Sequence, residues 1–535
     1  MAACSSNRMD EPRHSELISA LRNPAAYEHP AESVEVRETH ISWVLLAGPF
    51  AYKIKKPVDF GFLDFSDLDK RRLFCEEELR LNRRLAPDLY LAVVPISGDP
   101  RNPRFGGAGV PIEFAIKMRR FDQAALFDRL NRDGRLSSEH LDELAETLAR
   151  FHASINRGTA EDAHGLPENI FEAAEQNFVH IAPLLDSPAD IAALENLRAW
   201  SSGEYSRQRE TMLARKAAGF IRECHGDLHL GNIVLIDGRP TPFDGIEFNE
   251  DLRWIDTMSE LAFLVMDLEV RGKRDLAFRF LNRYLEITGD YRGLSLLNYY
   301  RVYRAMVRAK IAQLTRAHAG DAAKRQELLL LYRQYIEYAS GLIRPRKPAL
   351  LITHGFSGSG KSSVAGRIAE RLPAIRLRSD LERKRLAGFG ERADTGSTFG
   401  AGVYTADMTR RTYGYLLDTA EGILKSGLSV IVDATFLKRE QRMAHKKLAE
   451  RTGAAFLILD CQAPVATLKS RIEARALLGK DPSEADTAVL DHQLAAHDAL
   501  TREEQLDALT IDAGGPVSID ELLDKICRIA DRPPG

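Results

Sequence analysis

The chain has 535 residues, 44% of them hydrophobic and 28% charged, with a formal net charge of −3. Such a chain has room for about three globular domains, and its charge balance excludes a general nucleic-acid coat or a polybasic membrane anchor. Cys4, Cys75, Cys224, Cys461 and Cys527 are scattered without a C-x-x-C pair, and no run approaches the roughly 18 apolar residues of a membrane span, so a reducing, cytoplasmic compartment is expected.

Residues 1–33 carry prolines and acids without the apolar core of a signal peptide, and read as a loosely held leader with one short helix at Ser15–Arg22. From Val34 the period shortens to that of strands: Val34–Thr39, Ile41–Leu46 and Phe50–Val58, separated by turn residues such as Gly48-Pro49. A helix at Asp67–Leu85 and a strand pair around Leu91–Ile96 and Ile112–Met118 complete a small β-rich lobe, 34–120. The loop Gly98–Gly107 separates that pair. After Phe121 the chain turns helical, and Ser138–His152 places Leu141, Leu144, Leu148 and Phe151 on one face. This helical lobe runs to 342 and closes with the stretch Leu296–Leu342.

The prolines of Ile343-Arg-Pro-Arg-Lys-Pro348 predict a linker. Beyond it, strands at Ala349–Thr353, Ala374–Arg378, Leu428–Val432 and Ala455–Leu459 alternate with helices, including Met408–Ser426 and Glu440–Arg451. That order predicts an α/β domain, 349–535, with a doubly wound parallel sheet.

Two constellations carry chemistry. Gly355-Phe356-Ser357-Gly358-Ser359-Gly360-Lys361-Ser362, followed by Ser363, fits G-x-x-x-x-G-K-[ST] between a strand and a helix bearing Val364, Ile368 and Leu372. Glycine-rich backbone there turns N–H groups onto phosphate; Lys361 reaches the outer phosphates and Ser362 offers its hydroxyl to Mg²⁺. Asp380, at the carboxyl end of its strand, is the candidate general base, with Arg383 holding an anionic group of the acceptor. Asp433 is delivered to the same edge as a metal-side acid, and Arg471 with Arg475, four apart before the loop Gly479–Ser483, form a candidate lid. The basic run Arg376, Arg378, Arg383, Lys384, Arg385 would suit a nucleic-acid 5′ end or a metabolite phosphate, and the lack of interleaved aromatics favours the small substrate.

The other constellation is His225-Gly-Asp227-Leu-His229-Leu-Gly-Asn232, with Asp244 twelve residues on in Phe243-Asp-Gly245. Asp227 suits a base that orients a hydroxyl, and Asn232 and Asp244 suit Mg²⁺. These residues resemble the aminoglycoside phosphotransferase-like branch of the protein-kinase fold, with glycine where protein kinases carry arginine. The resemblance implies a two-lobed α+β domain. In it Lys53 of Ala51-Tyr-Lys53 pairs with nucleotide phosphates and with Glu78, and Met118–Arg120 forms the hinge that meets adenine. Two departures stand out: no G-x-G-x-x-G lies between the first strands, and the second metal motif reads Phe-Asp-Gly. The region 349–500 resembles P-loop kinases grouped around polynucleotide 5′-kinases, zeta-toxin-like kinases and small-metabolite kinases, carried by the glycine loop, Asp380 with Arg383, and Val432-Asp-Ala-Thr435. Together these resemblances imply a bifunctional ATP- and Mg²⁺-dependent phosphotransferase acting on hydroxyls. The alternatives are an aminoglycoside kinase with an accessory P-loop domain, and a nucleotide-gated regulatory or toxin–antitoxin-like module.

Overall fold

The computed structural model describes residues 11–59, 61, 63–391, 393, 402–478, 486–515 and 517–530. Contacts divide the chain into two units, 1–170 with 212–264, and 171–211 with 265–535.

The first unit is built on a six-stranded antiparallel sheet. Its order is Val34–Glu38, Ser42–Ala47, Phe50–Lys55, Pro111–Arg119, Tyr90–Asp99, Asn102–Phe105. The last of these strands lies inside the segment expected to be a loop. Helix Leu68–Asn82 starts at Asp67, whose carboxylate accepts from the Lys70 N–H at 2.8 Å. The leader expectation needs correction for the described residues. Leu17, Ile18, Leu21, Ala26 and Tyr27 are buried with Leu45, Tyr52, Ile54 and Phe105, because helix Glu11–Ala20 carries apolar residues that the sheet's outer face must cover. His14 reaches into that interior, its Nε2 2.6 Å from Glu113 Oε2, and Arg71 donates to the same carboxylate at 2.9 Å. Helix Ser138–Ser154 buries Leu141, Leu144, Leu148 and Phe151, as its spacing predicts.

The second unit contains helices Arg274–Thr288, Leu294–His318 and Ala322–Ile343, and a five-stranded parallel sheet. Sheet order is Ala374–Arg378, Ser429–Asp433, Ala349–His354, Ala455–Gln462, Ala508–Asp512. The central strand Ala349–His354 is buried on both faces, and the helix after it, Lys361–Arg371, buries Val364 and Ile368 against Leu351, Ile431 and Leu457. The fifth strand and helix Ile519–Ala530 extend the α/β alternation beyond the four strands read from sequence.

Candidate functional sites

Strand alternation brings Lys53 and Lys55 to one face of Phe50–Lys55. Glu78, fully buried on helix Leu68–Asn82, accepts from Lys53 Nζ at 2.8 Å on one oxygen and from Lys55 Nζ at 2.7 Å on the other. Lys53 also donates to Asp244 Oδ1 at 2.5 Å, and Lys55 to Glu247. Burial alone would favour a neutral Glu78, yet the two ammonium groups hold its pKa down to about 2. Burial likewise opposes the Lys53 charge, but Asp244, Glu78 and Glu247 raise its pKa well above the usual lysine value.

The loop 225–232 is fixed through its backbone. Glu260, buried on helix Thr257–Val270, accepts from the N–H groups of His225 and Gly226, both at 2.8 Å. His225 Nε2 lies 2.8 Å from the Phe243 carbonyl and its Nδ1 accepts from the Asp227 N–H at 3.3 Å, which assigns the ring proton to Nε2. Asn232 donates to the Asp227 backbone carbonyl at 3.0 Å and to Asp227 Oδ2 at 2.9 Å. Its side-chain oxygen is the atom that remains for a hard cation. Asp244 takes the left-handed conformation, φ +61°, with its N–H on the Tyr90 hydroxyl at 3.1 Å. Met118 is buried with Leu46, Ala51 and Ile116, and Phe243 packs against the same cluster.

In the second unit the loop 355–360 leaves the central strand. The Gly355 N–H donates to the Thr435 carbonyl at 3.2 Å, and a Cβ at Gly355 would lie 2.4 Å from the Cys461 carbonyl oxygen. Lys361 is folded back, donating to the Phe356 carbonyl at 2.6 Å with Ser359 Oγ at 3.5 Å. Burial lowers its pKa, while Asp433 and Asp380 act in the opposite direction. Asp433 ends its strand, buried, with the Ser362 hydroxyl beside it. Its Oδ2 is buried without a hydrogen-bond partner among the described residues. An orphaned carboxylate oxygen beside a hydroxyl at a phosphate loop fits a hard divalent cation. Asp380 is half-buried on helix Ser379–Leu386. One turn on, the Arg383 guanidinium donates to Thr409 Oγ1 at 3.1 Å and stacks on Tyr404.

A family model described as "Phosphotransferase enzyme family" matches residues 64–297, and one described as "AAA domain" matches 350–500. Uncharacterized proteins of Mycobacterium tuberculosis and Mycobacterium bovis are each 32% identical over 489 residues, covering 90% of this chain and 93% of theirs. The chain belongs to their family. It is a fusion of a phosphotransferase-family domain with a P-loop kinase domain, and its general activity is ATP-dependent phosphoryl transfer. Among solved structures, a choline kinase from Cryptosporidium parvum Iowa II is 10% identical, with TM-score 0.36, covering 62% of this chain and 96% of that one. A gluconokinase from Sinorhizobium meliloti is 22% identical, with TM-score 0.26, covering 35% and 96%.

The fusion kinase thus gathers Lys53, Glu78, Asp227, Asn232 and Asp244 in its first unit. Lys361, Ser362, Asp380 and Asp433 gather in the second. Arg471 donates to the carbonyls of Gly358, at 3.4 Å, and Ala513, at 2.7 Å, so here it braces the phosphate loop through backbone rather than standing free as a lid residue. Arg475 lies on the same helix, Val465–Leu478, and the loop 479–483 falls outside the described residues. Arg376 and Arg385 of the basic run are bonded to Glu286 and Glu382, which takes them out of any free nucleic-acid surface. Sequence reasoning missed Lys55, Glu247 and Glu260. Lys55 was signalled by strand alternation with Lys53, and Glu260 by being a carboxylate in the apolar run Met258–Met266. It also missed Gln493, whose Oε1 accepts from the Ser357 N–H at 2.9 Å and whose Nε2 donates to Ser357 Oγ at 3.1 Å. Nothing in the pattern of helix Thr487–Ala496 marked that residue.

Proposed function

We propose that the P-loop domain transfers the γ-phosphoryl group of ATP to a hydroxyl of a small metabolite, and that the first unit is a second, small-molecule-kinase-like site. The observation that carries this is the grouping of Lys361, Ser362 and Asp433 with Asp380, one helical turn before Arg383, beside the phosphate loop. On ATP binding, Lys361 leaves the Phe356 carbonyl for the outer phosphates, where its charge offsets that of the migrating group. Asp380 takes the proton of the acceptor hydroxyl as its oxygen bonds to phosphorus; the bond to the bridging oxygen breaks and ADP departs. Arg383 would hold the acceptor, and Arg475, on the helix from which Arg471 braces the phosphate loop, would close over the transferring phosphate. Ser362 and Asp433 would hold Mg²⁺, which when bound neutralises phosphate charge. In the first unit Asp227 would serve as base, Lys53 would hold phosphates, and Asn232 with Asp244 would hold Mg²⁺.

The test supplies γ-labelled ATP and a panel of metabolites, aminoglycosides and oligonucleotides to the wild type and to Lys361→Ala and Asp227→Ala. Lys361→Ala is expected to lower the principal transfer by about a hundredfold or more, with Asp227→Ala leaving it largely intact. The reverse pattern would refute the ranking of the two sites. Label on an aminoglycoside that depends on Asp227 would point to the antibiotic-kinase alternative, and label on oligonucleotide ends to the nucleic-acid one.

A further inference from the structure

Helix Arg274–Thr288 lies inside the segment that matches the phosphotransferase family, yet its polar face is spent on the P-loop sheet. Strand Ala374–Arg378 is the sheet's outer strand, so its far side presents unpaired backbone groups. Asn282 satisfies two of them: its Oδ1 accepts from the Arg376 N–H at 2.7 Å and its Nδ2 donates to the Ala374 carbonyl at 2.9 Å. One turn on, Glu286 accepts from Arg376 Nη2 at 2.5 Å and from its Nε at 2.9 Å. The other carboxylate oxygen of Glu286 lies 3.8 Å from Arg378.

These two arginines stand beside the cation residues. Arg376 donates to the Ser362 carbonyl at 3.1 Å, and a Cβ at position 366 would lie 2.7 Å from its guanidinium, so Gly366 leaves the room it occupies. Arg378 Nε is 4.0 Å from Asp433 Oδ2, at the outer limit of an ion pair, and that buried oxygen has no hydrogen-bond partner among the described residues. Two guanidinium charges next to a cation site repel the cation, and Arg378 needs little movement to close on the carboxylate. Glu286, almost fully buried, is a counter-charge that faces both.

We propose that Glu286, carried by the phosphotransferase-matched domain, is a positioning residue of the P-loop transfer site: by pairing with Arg376 and Arg378 it keeps Asp433 open to the divalent cation. One domain thereby supplies a working part of the other. This rests on the P-loop reading above.

The test measures Mn²⁺ binding by electron paramagnetic resonance in the full chain with a non-hydrolysable ATP analogue. An Asp244→Ala background confines the signal to the P-loop site. Glu286→Gln is expected to weaken Mn²⁺ binding about tenfold, with metal-free affinity for the analogue unchanged. Adding Arg378→Gln is expected to restore most of the loss, which repair of a merely structural defect would not do. Unchanged Mn²⁺ affinity in Glu286→Gln, or no recovery in the double variant, overturns the proposal. If Glu286→Gln does not fold, Arg378→Gln alone is expected to tighten Mn²⁺ binding, and its failure to do so overturns the proposal equally. A wild-type P-loop site that binds no Mn²⁺ with nucleotide would overturn the P-loop reading itself, a result distinct from the others.

Discussion

The buried tetrad of Lys53, Lys55, Glu78 and Glu247 separates two jobs that neighbouring lysines could share. Lys53 faces Asp244, whose side chain is 44% exposed, while Lys55 and Glu247 are almost wholly enclosed. Lys53→Met is therefore expected to abolish any transfer by the first unit. Lys55→Met is expected to cost about 3 kcal/mol of stability, because it strands the buried Glu247 carboxylate and leaves Glu78 with Lys53 as its remaining cation. Denaturant melts check this, and adding Glu247→Leu should recover much of the loss. Sequence supplied Lys53 and Glu78 here because motif spacing and the helix stripe both mark them; Lys55 was equally visible in the alternation, but its partner Glu247 lies far along the chain and only folding joins them. In the second unit, burial lowers the His445 pKa from 6.5 to about 4. The unfolded chain then binds this proton more readily than the folded one. Stability of that unit is expected to be level above about pH 6.5 and to fall by up to about 3 kcal/mol as pH drops to about 4. Thermal melts across that range, with His445→Gln flattening the slope, test the assignment.

At the scale of elements, the phosphate loop shows how a pattern becomes a geometry. The spacing of its glycines was legible from the sequence, and so was the helix after it, because Val364 and Ile368 must face the sheet. What the spacing did not show is the neighbour that makes each glycine necessary. Gly358 sits at φ +81°, and a Cβ there would lie 2.7 Å from the Leu468 carbonyl oxygen, on the helix that also carries Arg471 and Arg475. Gly358→Ala combines a strained backbone with a backbone clash. It is expected to remove measurable ATP-analogue binding at this site in an Asp244→Ala background, by calorimetry, while the first unit's melt stays in place. Wild-type affinity in this variant would show that the loop is looser than its packing implies. The helix Thr487–Ala496 was invisible to this reasoning for a different reason: Gln493 and His497 meet Ser357 and Phe356 across the fold, and no local period records such a pairing.

Across the whole molecule, the division of the chain does not follow the boundary a linker suggests. Residues 344–348 lie outside any helix or strand, between helix Ala322–Ile343 and the first P-loop strand. A cut there would look safe by composition. Yet helix Arg274–Thr288 belongs to the same compact unit as the sheet. It covers the outer strand through Asn282 and also makes ion pairs between Arg279 and Glu370 at 2.9 Å and between Arg283 and Glu391 at 2.6 Å. A chain starting at residue 344 loses all of these and bares a strand edge ready to pair with another copy. It is expected to melt several degrees lower and to self-associate with rising concentration in light scattering. A chain starting at residue 265 keeps the helix, and should hold both the higher melting temperature and a constant mass. Equal stability and mass for the two would mean that the helix merely rests against the sheet, and that the composition-based boundary is the working one.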